Sequence, residues 1–283
     1  DPDDLSLREA IALANLDPST ADTITFDPTL FAPERDALIR LTLGELEITG
    51  DLVVDGDGSA AAPTAVTITG DALGDDVLVA GTAITDVAAS GAARLADNSR
   101  LFNATVSDAA LTLEGLTLTG GRTTADNDFP DTTNNGGAVR ALGDLTLVAS
   151  TVSGNSTAGD YSDGGGVFGR GDVTLTNSTV SGNSTAGDNA PGGGVSGRAD
   201  VALINSTVSG NSTAGDNAPG GGVYGRNDVT LTDSTVSGNS TAGLGADGGG
   251  ARASTLMVRD SVISGNSSRS EERRVGKECT LRC

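Results

Sequence analysis

The chain has 283 residues, of which 36% are hydrophobic and only 2% aromatic, with 41 Gly and no Trp; a compact globule of this length carries more large apolar side chains, so a fold that stacks small residues is indicated. Its net charge of −21 comes from 30 Asp and 8 Glu against 17 Lys and Arg. That balance sets it against DNA, RNA and anionic membranes, whose phosphates it would repel, and the absence of any run of eighteen apolar residues leaves no membrane span.

In chain order, Asp1-Pro2-Asp3-Asp4 reads as a cut frame or a processed end, with no initiator Met and no signal peptide. Ser6-Leu7-Arg8-Glu9 is a capping box, with Leu7, Ala10, Ile11 and Ala14 following on one helical face. This short helix is expected to plug the open end of whatever sheet follows, since an exposed edge invites pairing. Residues 1–40 are therefore assigned to an N-terminal cap of helix plus first strand.

Residues 41–149 alternate apolar and polar positions loosely. Stretches at 41–43, 46–48, 52–54, 66–68, 77–79 and 111–118 read as short strands, and Asp55-Gly56-Asp57-Gly58 as a turn. From 150 to 268 the pattern becomes regular. Ser-Thr-Val-Ser-Gly-Asn-Ser starts at Ser150, Ser178, Ser206 and Ser234, with a degenerate copy at Ser261. Gly-Gly-Gly-Val recurs at 164–167, 192–195 and 220–223, followed each time by an Asp-led alternation such as Asp172-Val173-Thr174-Leu175-Thr176. A period of two within each unit means strand, and Thr and Val suit a pleated surface.

Identical residues recurring once per 28-residue unit stack best in an all-β, right-handed parallel β-helix, coil upon coil at ~4.8 Å. Roughly eight or nine coils are expected, with Val173, Leu175, Val180 and Val195 pointing inward. A β-propeller is excluded, because its blades need about 40 residues. The decapeptide between each repeated Asn and the Gly run is expected to leave the coil as a loop, and the side bearing such loops is the expected binding surface.

Residues 269–283 depart from all of this. They hold the one Lys (Lys277) and both cysteines (Cys279, Cys283), and residues 269–279 resemble the translation of a sequencing-library adapter. The natural sequence is expected to end near Ser268, and no disulfide or metal is assigned to that cysteine pair.

Leu5-Ser6-Leu7-Arg8-Glu9-Ala10-Ile11, followed by Asn15 and by Asp22-Thr23-Ile24-Thr25-Phe26, is similar to the N-terminal region known as the CSLREA domain, although Leu5 stands where that family has Cys. Gly136-Gly137-Ala138-Val139 and Val152-Ser153-Gly154-Asn155 resemble the signatures of polymorphic outer-membrane-protein repeats, with Val in place of their Phe. The resemblance implies an exported bacterial protein, secreted or displayed at the cell surface, and supplies no catalytic residue.

With no His, and no Cys before the tail, Ser-His-Asp, Cys-His and zinc chemistry are excluded. The glycines at 164–169 fit a dinucleotide fingerprint only superficially, since no helix follows. Residues 51–58 lack EF-hand ligand spacing. Asn155, Asn183, Asn211, Asn239 and Asn266 are expected to form a stacked amide ladder at a turn rather than glycosylation sites.

Arg170, Arg198 and Arg226 each precede an Asp by two residues (Asp172, Asp200, Asp228), which on a strand would give a ladder of alternating charge. The candidate binding residues lie on the loop side: Asp160, Asp163, Asp188, Asn189, Asp216, Asn217 and Asp247. The expected function is a non-catalytic, adhesin-like scaffold, monomeric, contacting surface glycans and requiring no cofactor, with calcium in the acidic loops as the one candidate ion. The competing expectation is a carbohydrate-active enzyme: a polysaccharide lyase using Arg and calcium-bound Asp, or a glycoside hydrolase pairing carboxylates from Asp160, Asp163, Asp188 or Asp216.

Overall fold

The computed structural model describes residues 5–27, 37–56, 66–71, 76–77, 85–86, 99–123 and 133–268. Its tail at 269–283, the N-terminal tetrapeptide and the turn residues Asp57 and Gly58 lie outside the described residues.

Four parallel sheets wrap one core and make an all-β solenoid of about 7 turns, fewer than the eight or nine coils expected from the repeats. A single coil shows the design. Val167–Gly169 lies on face I, Val173–Thr176 on face II, Thr179–Ser181 on face III and Ser184–Thr185 on face IV. Each strand pairs in parallel with its equivalent 28 residues on, as Val173↔Val201, Val180↔Val208 and Ser184↔Ser212 show. Faces II and III each stack eight strands, face I seven and face IV six, and they run unbroken through the expected boundary at residues 149–150.

Alternation decides what enters the core. Val173, Leu175, Val180 and Val195 are fully buried, as are their equivalents Val201, Leu203, Val208 and Val223, while Thr174 and Thr176 stay half-buried outside. Face IV turns a Thr inward instead. The hydroxyls of Thr157, Thr185, Thr213 and Thr241 each donate to a carbonyl five residues on, at 2.7, 2.7, 2.6 and 2.9 Å, which closes the coil and satisfies a buried polar group. Gly169, Gly197 and Gly225 turn the corner between faces I and II because no Cβ fits there. One added to Gly197 would lie 2.3 Å from Cγ2 of Val201.

The helix α1 (Leu7–Ala14) carries its capping box in full: Ser6 Oγ accepts from the Glu9 amide, and Glu9 accepts from the Ser6 amide at 2.9 Å. Leu7 and Ile11 are buried against the first coil. Polar side chains then cover the free edge of Leu46–Ile48, the first strand of face I. Arg8 donates to the carbonyls of Gly44 and Glu45, Asn15 Nδ2 donates to the Glu47 carbonyl at 2.8 Å, and Asn15 Oδ1 accepts from the Thr49 amide at 2.9 Å. Asn15 thus stands in for an adjacent strand, which protects the edge.

Two expected strands are placed differently. Residues 41–43 are not a strand; the strand is Leu38–Arg40, and the chain turns over 42–44 with Gly44 at φ 80°. Asp76–Val77 does not join the stack but pairs antiparallel with Thr85–Asp86, off all four faces. In the sequence this pair lies between Val66–Thr69 and Phe102–Ala104.

Candidate functional site

The decapeptide does not leave the coil as a loop. Its residues fold into a tight arc that stacks on the arc before it so closely that a Cβ on Gly187 or Gly215 would lie 2.0 or 1.9 Å from the Gly159 or Gly187 carbonyl oxygen. Ala190, Ala218 and Ala246 are fully buried beneath it. The left-handed turn is taken by Tyr161, Asn189 and Asn217, at φ 59°, 54° and 52°, and Asn tolerates this conformation better than other non-Gly residues.

Three of the expected binding carboxylates form one column. Asp160 Oδ1 accepts the Asp188 amide at 2.9 Å, Asp188 Oδ1 accepts the Asp216 amide at 2.7 Å, and Asp216 Oδ1 accepts the Leu244 amide at 2.7 Å. Asn189 and Asn217 sit beside them and donate their amides to the carbonyls of Asp216 and Leu244. Asp247 is exposed in the last arc. Asp163 is placed apart, buried on the outer side of face I.

The five repeated asparagines do form a ladder. Asn183 illustrates it: both its backbone amide and its Nδ2 donate to Asn211 Oδ1 at 2.9 Å, and Nδ2 also donates to the Val152 carbonyl at 3.0 Å. Asn155, Asn211 and Asn239 repeat the arrangement, ending on the half-buried Asn266. A parallel ladder of serines (Ser150, Ser178, Ser206, Ser234, Ser261) stands at the other edge of face III, each Oγ accepting the preceding coil's amide.

The Arg–Asp ladder of alternating charge does not form. Asp144, Asp172 and Asp200 each turn a carboxylate oxygen to the amide of the next coil's Asp, at 2.9, 3.1 and 3.3 Å. Arg198 instead reaches Asp163, 35 residues back, at 3.2 Å. A side chain two residues on lies round a corner of the coil, whereas one in the preceding coil lies alongside.

This pair belongs to a polar cluster that does not repeat from coil to coil. The outward column of face I runs Glu47, Asn103, Arg140, Phe168, Ser196, Tyr224, Arg252 in strict register. The Arg198 guanidinium lies 5.6 Å from the centre of the Phe168 ring, within cation–π range. Burial pushes the Asp163 carboxyl up to about 7, against the opposing pull of Arg198.

Asn135 Oδ1 accepts the Asp163 amide at 2.8 Å. Farther along, Arg140 donates to Asn103, Asn103 to Glu45, and Arg100 to Glu45 at 2.6 Å. Three buried polar atoms here, Ser196 Oγ, Asn135 Nδ2 and Arg100 Nε, have no hydrogen-bond partner, an expensive state for a group out of reach of water.

Sequence reasoning missed this column. Its signal is the x of Gly-Gly-Gly-Val-x-Gly-Arg, which is Phe168, Ser196 and Tyr224 in three otherwise near-identical units.

The arrangement holds guanidinium groups, an aromatic ring, hydroxyls and one carboxyl that burial raises to about 7, with Phe168, Ser196 and Asp163 themselves buried. Among the described residues no group of three or more His, Cys, Asp or Glu side chains gathers to hold a metal ion. A groove of about 790 Å³ lies elsewhere: α1 with Ile24, Phe26 and Ile39 forms its apolar walls at the N-terminal mouth of the solenoid. Among the described residues no helix is long and apolar enough to cross a membrane. No protein-family model, no curated protein and no solved structure matches the chain.

Proposed function

We propose that the chain is a non-catalytic scaffold of an exported protein, secreted or displayed at the cell surface, that presents face I for adhesin-like binding of surface glycans. The observation behind this reading is the division of labour between faces. Faces III and IV of the regular coils repeat the same residues, locked by Asn and Ser ladders, and face II changes only outside, where Ala202 and Ile204 stand among threonines, while the outward column of face I passes from Phe168 to Ser196 to Tyr224. Long concave or flat faces of solenoids commonly serve as binding surfaces. The similarity of residues 5–26 to the CSLREA region supports export.

Antibody labelling and protease shaving of intact source cells tests the location. Labelling without permeabilisation agrees with the proposal; signal only after lysis defeats it.

One observation favours a second reading, a carbohydrate-active enzyme. Asp163 and Arg198 form an ion pair whose buried carboxyl is raised toward neutrality. Incubation with acidic polysaccharides and calcium separates the two. Cleavage that is lost in Asp163→Asn would replace the scaffold reading with the enzymatic one.

A further inference from the structure

A chain of net charge −21 would be expected to spread its few cations as counterions among its carboxylates. The fold does otherwise. Of the ten arginines among the described residues, six stand on or immediately beside face I: Arg100, Arg140, Arg170, Arg198, Arg226 and Arg252.

Three of these form a column of their own at the edge of the face. The amides of Arg170, Arg198 and Arg226 donate to the carbonyls of Ala141, Gly169 and Gly197, each in the coil before, all at 2.9 Å. Successive guanidinium stems are therefore one coil apart, ~4.8 Å. Arg170 and Arg226 are exposed, and neither makes an ion pair among the described residues. Asp172, two residues after Arg170, accepts a backbone amide round the corner, and Asp228, two residues after Arg226, donates its own amide to Asp200 and makes no ion pair among the described residues.

We propose that face I binds a linear anionic polysaccharide laid along the solenoid axis, its carboxylates or sulfates held by the Arg170–Arg198–Arg226 column. A guanidinium fork matches such groups in bidentate geometry and is weakly hydrated. Charges one coil apart suit a polymer bearing about one anion per sugar. Duplex nucleic acid carries a charge every ~1.7 Å and would meet the full repulsion of the acidic body.

The independent sign of a ligand is Ser196. It lies between Phe168 and Tyr224 in register and two residues before Arg198, is fully buried, and has an unpartnered Oγ. A sugar hydroxyl arriving as Arg198 turns from Asp163 to the ligand would satisfy that oxygen, with the half-buried Tyr224 flanking the ring.

The ligand class rests on the surface-scaffold reading only for where the polysaccharide is met. Binding in solution is independent of location, so failure here leaves the labelling result untouched, and the reverse holds.

The test is calorimetric titration of the full chain with a short oligogalacturonate and with its methyl ester, which keeps the chain but blocks the charge. The free acid is expected to bind about tenfold or more tighter than the ester, with affinity falling as salt rises. Arg170→Ala with Arg226→Ala should weaken it about tenfold while leaving the melting curve unchanged, because both side chains are exposed; Arg40→Ala, on face III, should leave binding intact. Arg198→Ala is a poorer probe because it strands Asp163. No binding of the free acid, equal binding of the ester, insensitivity to the double variant, or tighter binding of oligothymidylate would each overturn the proposal.

Discussion

Replacing Asn211 with Ala tests the amide ladder where it is deepest. Asn211 Oδ1 accepts from both the amide and Nδ2 of Asn183 at 2.9 Å, while its Nδ2 donates to Asn239 Oδ1 at 2.9 Å and to the Val180 carbonyl at 3.0 Å. The variant removes all four bonds. Asn183 Nδ2 keeps the Val152 carbonyl, and Asn239 Oδ1 keeps the Asn211 amide. The Val180 carbonyl keeps its place in the parallel ladder with the next strand, so the Asn183 amide is the group left without a partner. An orphaned buried group costs ~1–3 kcal/mol, and the variant should lose about that much.

Asn266→Ala should cost far less, since Asn266 is half-buried in the last coil and water reaches it. Urea unfolding followed by far-ultraviolet circular dichroism suits a chain without Trp, and hydrogen exchange at the Asn183 amide reports whether the loss is local, as nearest-neighbour coupling in a solenoid predicts. Equal midpoints for Asn211→Ala, Asn266→Ala and the parent chain would refute the ladder as a source of stability.

Gly197→Ala should lower stability by ~1–3 kcal/mol through overpacking, because the new methyl meets Val201 at 2.3 Å; a companion Val201→Ala should recover part of the loss in the same urea assay. Asp163, with a folded-state carboxyl at about 7 against an ordinary 3.8, holds its proton when the unfolded chain has lost it. Its contribution is therefore fully present below about pH 4 and is lost as pH rises through 7, up to roughly 4 kcal/mol at the bound set by linkage. Asp163→Asn should flatten that slope in melting curves taken between those pH values, and an unchanged slope would show that Asp163 is not its source. Asn15→Ala should cost ~1–3 kcal/mol by exposing the Glu47 carbonyl and Thr49 amide, with faster exchange at Thr49 than at Val180 as the local readout. Molar sodium chloride should raise the urea midpoint, because the stacked Asp columns are screened at a Debye length of ~3 Å; a midpoint that falls or stays level would argue against repulsion within them.

Most of the architecture was legible from two periods. Alternation by two along Val173–Thr176 says strand, and recurrence by 28 says that Val173 lies on Val201; the inward set, the Asn ladder and the capping box of α1 follow from these. Chain-local signals failed where the deciding neighbour lies one coil away. Arg198 has Asp200 two residues on, yet pairs with Asp163 in the coil before. The decapeptide looks like a loop by composition, yet its Gly187 exists because the Gly159 carbonyl is in contact. Residues 41–43 alternate like a strand, but the stack recruits Leu38–Arg40, which aligns with Thr67 to Thr69. Periodicity gives register along the axis, not the side chain that reaches diagonally across it.

The same stacking explains why the binding face is where it is. Repetition forces every residue of a coil into a column, so a charged residue repeated is a column of like charge, costly unless something offsets it. The Asp columns have that offset built in. Asp160, Asp188 and Asp216 each accept a backbone amide from the next coil, as do Asp144, Asp172 and Asp200, and a charge-assisted bond to an amide stabilises the carboxylate where it stands.

The Arg column has no such offset. Guanidinium offers only donors, the carbonyls beside it are already taken by amides of the adjoining coil, and only Arg198 has found a carboxylate. Two exposed guanidiniums, stacked with a third and left without anions by a chain rich in them, are a surplus that the fold itself does not neutralise. The proposed polysaccharide would answer that surplus, with Arg198 turning from Asp163 to meet it. In a solenoid, the charge that its own ladders leave unanswered marks the face available to a partner.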